Sequence, residues 1–400
     1  MNKELSCTLV FFLIIGLFVA AVSSISVAEL IEDSWNTKTP TQPNRTELGV
    51  VAVDGKIYAI GGSTRDMRVV DTNECYNPVT DTWVTLEPMP TPRAAFAITV
   101  HEGKIYCMGG YNDESYNTNS HEPINLPTEL YDPATNKWST KASAPFNNGT
   151  WQAHAINGQI FVISANNFGT DDYKRDWHVY DPTTNSWSIR TRTPVVGVDI
   201  VSVVVNNNIM VLGTLPHENS DSKDLKTKIM VYNPRNDAWS TKKPGPILVG
   251  GGSVYAGAAT TGLYAPKKVY FLGHMYGDTA DTLQLFNWVY DPANDTWSTA
   301  KPLSMYRQNF GVSIVDDILY VVGGQQFKLG DPNFIDTFTV NEQYVPISYG
   351  FVPLDFSVTN IVTIFTLVLI AALFVITSII IAVGIFFYFK KRGHSTTSNA

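Results

Sequence analysis

Five times in this chain a tryptophan falls seven residues after a tyrosine: Tyr76/Trp83, Tyr131/Trp138, Tyr180/Trp187, Tyr232/Trp239 and Tyr290/Trp297. Each pair frames one pattern: Tyr, Asp or Asn, Pro, two variable residues, Asp or Asn, one residue, Trp. Successive tryptophans stand 49 to 58 residues apart. A fixed internal offset with variable spacing between copies means one supersecondary unit repeated, with loops of differing length. A single unit of this kind cannot bury its apolar faces alone, so the copies must stack.

A second landmark lies upstream of each tyrosine. It reads Gly55-Lys56-Ile57-Tyr58-Ala59-Ile60-Gly61-Gly62 in the first copy and Gly103-Lys104-Ile105-Tyr106-Cys107-Met108-Gly109-Gly110 in the second. The last copy reads Asp317-Ile318-Leu319-Tyr320-Val321-Val322-Gly323-Gly324. A turn residue feeding a short β-branched and aromatic run predicts a strand entered through a hairpin. An apolar run precedes it, such as Phe96-Ala97-Ile98-Thr99-Val100. A third strand ends at the Tyr-Asp-Pro turn and the tryptophan opens a fourth. Each unit is expected to be a four-stranded antiparallel sheet.

Double glycine, Tyr-Asp-Pro and Trp, in register at this period, resemble the kelch repeat across residues 29–346. The resemblance implies an all-β fold, a six-bladed kelch-type β-propeller, with Tyr and Trp filling the wedge between blades. Copies three to five depart from it, with Ser164-Ala165, Gly213-Thr214 and Gly273-His274 at the double-glycine position. The sixth copy has Gly323-Gly324 and Tyr344-Val345-Pro346, but no tryptophan follows. Asp33-Ser34-Trp35-Asn36-Thr37-Lys38-Thr39-Pro40 matches the fourth-strand segment Asp237-Ala238-Trp239-Ser240-Thr241-Lys242-Lys243-Pro244. The N-terminal strand is therefore expected to complete the last blade and close the ring, removing an open sheet edge.

The two ends of the chain speak to its place. Residues 8–22 are apolar behind Lys3 and lead to Ser26-Val27-Ala28, so residues 1–28 read as a secretory signal peptide. From Ile361 to Phe389 no residue is charged. At ~1.5 Å per residue that helix would reach ~43 Å, more than the ~30 Å hydrocarbon core. Lys390-Lys391-Arg392 follow and place the C-terminus inside. The expected order is signal peptide 1–28, propeller 29–346, stalk 347–360, one C-terminal transmembrane helix 361–389 and cytoplasmic tail 390–400. That order implies a single-pass, type I protein of the cell membrane with its propeller extracellular.

The net charge of −8 carries no basic patch and argues against nucleic acid. Cys7 leaves with the signal. Cys75 and Cys107 fall on strands of adjacent units, where they form either a disulfide or two buried thiols acting as small apolar residues; the sparse usage favours the thiols. Asn44, Asn148 and Asn294 open glycosylation sequons.

No Gly-x-Ser-x-Gly, His-Glu-x-x-His, phosphate loop or Cys-x-x-Cys occurs, and no cofactor or metal is called for. The copper radical oxidases that share the resemblance need a Tyr-His copper set, and no adjacent Tyr-His pair is present. One constellation stands out. Ten residues before the hairpin turn, the last, first and second copies carry Arg307, Arg45 and Arg93; copies three and four carry Asn148 and Gly197. In a closed ring these three blades are neighbours, so the arginines are expected to form a cationic arc at the channel mouth, suited to carboxylates. Two residues later stand Glu47, Ala95 and Asn309. The loops after the second strands add Tyr111, Tyr116, Asp172 and Tyr173 as candidate ligand contacts.

These features point to a cell-surface binding module that presents its loop face to an extracellular protein, peptide or glycan. One alternative is an extracellular carbohydrate-active enzyme of the sialic acid mutarotase-like kelch type, using a carboxylate and an arginine. Another is a ligand-free structural part of the cell envelope.

Overall fold

The computed structural model describes residues 30–113, 126–146, 151–164, 177–190, 200–216, 225–248, 252–276, 283–328 and 331–350. Every described element is a β-strand. The chain opens with β1 (Ser34–Lys38). Blade one is β2 (Gly49–Val53), β3 (Lys56–Ile60), β4 (Asn73–Asn77) and β5 (Thr82–Thr85). Blade two is β6 (Ala97–His101), β7 (Lys104–Met108), β8 (Thr128–Asp132) and β9 (Lys137–Lys141). Blade three is β10 (Trp151–Ile156), β11 (Gln159–Ser164), β12 (Trp177–Asp181) and β13 (Ser186–Arg190). Blade four is β14 (Ile200–Val205), β15 (Asn208–Pro216), β16 (Leu225–Asn233) and β17 (Ala238–Thr241). Blade five is β18 (Ser253–Ala259), β19 (Val269–Tyr276), β20 (Leu283–Asp291) and β21 (Thr296–Ala300). Blade six holds β22 (Gly311–Val315), β23 (Ile318–Val322) and β26 (Asn341–Val345), with a separate hairpin of β24 (Gln325–Lys328) and β25 (Asp331–Thr337) between them.

The sixth sheet runs β1-β26-β23-β22, so its outer strand comes from the N-terminal side of the chain. Ser34 pairs with Val345, Trp35 with Tyr344 and Lys38 with Asn341. The first strands of successive blades touch in turn, β2 to β6 to β10 to β14 to β18 to β22 and back to β2. This is a six-bladed β-propeller around a central channel.

Its registers explain the offset of seven. Tyr76 faces Trp83 across the β4–β5 hairpin, and Tyr131/Trp138, Tyr180/Trp187, Tyr232/Trp239 and Tyr290/Trp297 face each other likewise. Six residues separate each pair, and the Asp or Asn two before Trp takes the left-handed conformation, with φ between 51° and 53°. Asp and Asn tolerate that conformation best among non-glycine residues. The tyrosine hydroxyl donates to that side chain at 2.7 Å in all five hairpins. Any insertion would break the cross-strand pair and the hydroxyl bond together.

The same motif links neighbouring blades. Trp83, Trp138, Trp187 and Trp297 donate Nε1–H to carbonyls of Thr39, Glu87, Ala142 and Lys243, which belong to the preceding blade. Each tyrosine also lies in an apolar cluster shared with that blade. Tyr76 packs with Val315, Ile318 and Tyr320 of blade six, and Tyr131 with Tyr58, Ile60 and Cys75 of blade one. Fully burying one such aliphatic or aromatic side chain contributes ~1.5–3 kcal/mol. The core is thus six interfaces and no single centre. Cys75 and Cys107 share one of these clusters as free, buried thiols, which selects between the two cysteine readings.

The expected signal peptide, transmembrane helix and cytoplasmic tail lie outside the described residues, as does most of the expected stalk.

Candidate functional site

Arg45, Arg93 and Arg307 precede the first strands of blades one, two and six, as the sequence places them. Their side chains do not reach the channel. All three are at most 1% exposed and rank among the largest fully buried side chains. Each turns into its own blade. Arg93 Nη2 meets Glu129 Oε2 at 2.9 Å, Arg307 Nη2 meets Glu342 Oε2 at 2.5 Å, and Arg45 pairs with Glu74 in the same way. Nη1 of each donates to the first carbonyl of the double glycine, Gly61, Gly109 or Gly323, at 3.0 to 3.2 Å. Burial draws the Arg45 guanidinium below its ordinary value against the pull of Glu74. It draws Arg307 down to about 10, still charged at neutral pH. The cationic arc expected at the mouth is therefore three internal braces. The physical reason is the carboxylate on the third strand, which captures the fork before it can face water.

The double glycines complete each brace. Gly61 and Gly62 have φ of 60° and 98°, and Gly62 N–H donates to the carbonyl of Arg93 in the next blade at 2.9 Å. A Cβ on Gly61 would stand 2.5 Å from that carbonyl oxygen. Gly324 reaches Arg45 O identically. Glycine is required both for its conformation and for this approach.

What the arginines leave open is filled by the residues two positions on. Glu47, Ala95 and Asn309 all take left-handed φ, 56°, 52° and 55°. Glu47 N–H donates to Asn309 O and Ala95 N–H to Glu47 O, a run of backbone bonds between blades six, one and two. All three residues line a cavity of about 290 Å³ at the end of the channel where the first strands begin. Gln152 and His154 of blade three, Ser202 of blade four and Tyr255 of blade five complete its polar lining.

Two networks organise these groups. Glu47 accepts from the hydroxyls of Tyr111 and Ser63, yet burial still pushes its carboxyl above the ordinary range. Ser202 donates its backbone N–H and its hydroxyl to Gln152 Oε1, both at 2.6 Å. With that proton committed, Ser202 Oγ accepts from His154 Nε2 at 2.7 Å, which fixes the tautomer. Burial holds the His154 pKa down to about 4, so the ring is neutral at physiological pH. Among the described residues the lining contains a carboxylate, two amides, a hydroxyl, a neutral imidazole and a phenol, with no Lys or Arg. Among the described residues no group of three His, Cys, Asp or Glu is placed to hold a metal ion.

A family model for the KLHDC2/KLHL20/DRC7 Kelch-repeats domain matches residues 20–214. The Kelch-like protein terF of Aspergillus terreus is 28% identical over 134 residues, which is 34% of this chain and 28% of that protein. The solved structure of YjhT superposes with a TM-score of 0.53 at 14% identity, covering 76% of this chain and 96% of that one. This chain is a kelch-repeat β-propeller. The match spans little more than a quarter of the terF protein, and the likeness to YjhT speaks to fold alone.

Within the kelch propeller, the candidate residues divide cleanly. Asn309 lines the cavity and Tyr111 donates to a lining residue, so the structure brings these two together with Glu47. Arg45, Arg93 and Arg307 are excluded from the mouth by their glutamates. Tyr116, Asp172 and Tyr173 lie outside the described residues. The sequence reading missed Glu74, Glu129 and Glu342, although a signal existed. Glutamate stands two residues before the repeat tyrosine only in the three blades that also carry Arg and Gly-Gly. It missed Gln152, His154, Ser202 and Tyr255 because their blades lack the double glycine that would have set their register.

Proposed function

We propose that this kelch propeller is a membrane-anchored binding module that takes an extracellular protein, peptide or glycan at the face where its first strands begin. A kelch propeller is typically a protein-interaction module, which favours this class of function. The observation that carries the reading is the cavity of about 290 Å³, whose polar groups come from five different blades: Glu47, Gln152 with His154, Ser202, Tyr255 and Asn309. Convergent polar groups in an apolar-walled hollow are the usual make-up of a ligand site. Because β2 and β3 are antiparallel, the loops after the second strands start at this same face, as Gly49 opposite Ile60 shows. In sequence, Tyr116, Asp172 and Tyr173 fall between the second and third strands of blades two and three, outside the described residues.

The anchor belongs to the same reading. Its support is the signal at residues 1–28, the uncharged run Ile361–Phe389 and the basic residues after it. Both ends of the described chain emerge on the face away from the cavity, where Gly350 N–H donates to Tyr264 O. Ring closure through Trp35 holds the cavity's shape. Trp35 Nε1 donates to Lys301 O at 2.9 Å, and Asp33 Oδ1 accepts from both Lys301 N–H and the Tyr344 hydroxyl.

A carbohydrate-active enzyme of the mutarotase-like type would need an arginine beside the carboxylate. Arg45, Arg93 and Arg307 are committed to Glu74, Glu129 and Glu342, so binding without catalysis is the better-supported reading. The test is a glycan and peptide array probed with the detergent-solubilised full chain. A partner whose binding is lost with Asn309→Trp, which plugs the mouth, supports it. Binding that survives the plug overturns it. External protease on intact cells should remove the propeller and spare a C-terminal tag; a protected propeller would overturn the orientation.

A further inference from the structure

The mouth contains one feature that the fold does not require. Glu47, Ala95 and Asn309 do the same structural work, because the bonds between their blades run through backbone N–H and C=O. Ala95 shows that a methyl group suffices at such a position. The left-handed conformation disfavours glutamate and is better met by asparagine, as at Asn309. A carboxylate is nonetheless placed there, half-buried at the cavity wall and oriented by the hydroxyls of Tyr111 and Ser63. Desolvation disfavours its charged form, and among the described residues no basic side chain lines the cavity to compensate. His154, the other titratable lining group with a shifted value, is held neutral. The rings of Phe96, Tyr255 and Phe310 form part of the walls, and aromatic faces attract cations. A carboxylate at a position whose backbone bonds are met equally by Ala95 and Asn309 is a candidate for function.

We propose that the cavity receives a positively charged organic group, an ammonium or guanidinium, which pairs with Glu47 and is flanked by Asn309 and the aromatic walls. This rests on the binding-module reading above and names its ligand chemistry. The charge can arrive on a lysine or arginine side chain of a protein partner or on an amino sugar.

The test uses the full chain in detergent and titration calorimetry. Acetyl-lysine amide and acetyl-arginine amide represent the protein source, and glucosamine the sugar source. Acetyl-norleucine amide and N-acetylglucosamine are the neutral counterparts. At least one cationic probe should bind at least tenfold more tightly than its neutral counterpart, and the preferred probe identifies the source. Glu47→Gln, which keeps shape and removes charge, should erase that preference while leaving the melting temperature equal or higher. Equal affinity for charged and neutral probes, or a preference that survives Glu47→Gln, overturns the proposal. If a neutral glycan binds and Asn309→Trp blocks it, the charge assignment fails and the binding-module reading stands. If no probe binds and no array partner is sensitive to Asn309→Trp, both fail.

Discussion

Blades six, one and two differ from blades three, four and five in how they fill one buried slot. The slot lies two residues before the repeat tyrosine on the third strand. In the first group it holds Glu342, Glu74 and Glu129, each paired with an arginine and closed over by a double glycine. In the second it holds His178, Met230 and Trp288, all buried. His178 packs against Phe146 at 4.9 Å, Trp288 stacks on Phe286 at 3.9 Å, and Met230 Sδ accepts from the Thr241 hydroxyl at 3.2 Å. Arg, Glu and Gly-Gly are present together or absent together. They therefore form one module, separate from the Tyr/Trp staple that every blade keeps. A buried ion pair is costly to desolvate and gains little over a well-packed apolar filling, so both solutions are compatible with one fold. What the pair adds is a penalty for losing either partner.

The two groups also join their neighbours differently at the channel. Blades six, one and two use backbone bonds through Glu47 and its equivalents. Blades three and four are linked by side chains, through Gln152, His154 and Ser202. The first arrangement leaves the side chains at those positions to line the cavity; the second fixes a neutral polar floor.

Five changes would sharpen or break this contrast. The largest effect is expected from Arg307→Met, which strands Glu342 in the interior. It should cost ~3–5 kcal/mol, read as a lowered urea midpoint. Met230→Leu, at the equivalent slot in blade four, conserves volume and should cost less than ~1.5 kcal/mol. Equal losses would erase the distinction between the groups.

Trp35→Ala comes next, at ~3 kcal/mol or somewhat more. It removes the ring packed on Tyr344 at 5.0 Å and the bond to Lys301 O. An unchanged melting temperature would show that the N-terminal strand is not needed for closure.

A pH effect should appear on the neutral side of the ring. His154 and His274 have folded pKa values near 4, below the ordinary 6.5, so both are bound in their neutral forms. Their contribution is complete above about pH 6.5 and is lost as pH falls through about 4. Each is worth up to ~3 kcal/mol on that scale, since one unit is ~1.4 kcal/mol. His154→Gln should flatten the stability profile between those limits; an unaltered slope would contradict the assignment.

The smallest expected effect is Glu47→Gln. Its raised pKa means that the charged form costs stability as pH rises through the folded value, so the amide should raise the melting temperature slightly above that pH. A marked destabilisation would make Glu47 a brace like its arginine neighbours.

Much of this molecule can be read in its sequence, and the limit has a physical form. The constant offset from Tyr to Trp exposed the sheets because it reflects a register pair across one hairpin. The match of Asp33–Pro40 to Asp237–Pro244 pointed to the segment that the structure pairs with β26. The direction of a side chain was harder. Arg45, Arg93 and Arg307 sit at channel-side positions of the chain, but their forks are drawn inward by glutamates 29 to 36 residues later. Sequence spacing shows where a backbone passes; a partner on another strand decides which way a long side chain turns. Gln152, His154 and Ser202 were hidden because only the fold aligns their strands.

The most direct test of the central claim is a double-mutant cycle in blade two, with Arg93→Met, Glu129→Leu and both together, followed by urea unfolding. If the arginine is a brace, each single change should cost ~3–5 kcal/mol, and the pair together much less than their sum, a coupling of at least ~2 kcal/mol. Single changes that leave the midpoint unmoved, with additive effects in the double variant, would contradict it and return Arg93 to the channel mouth.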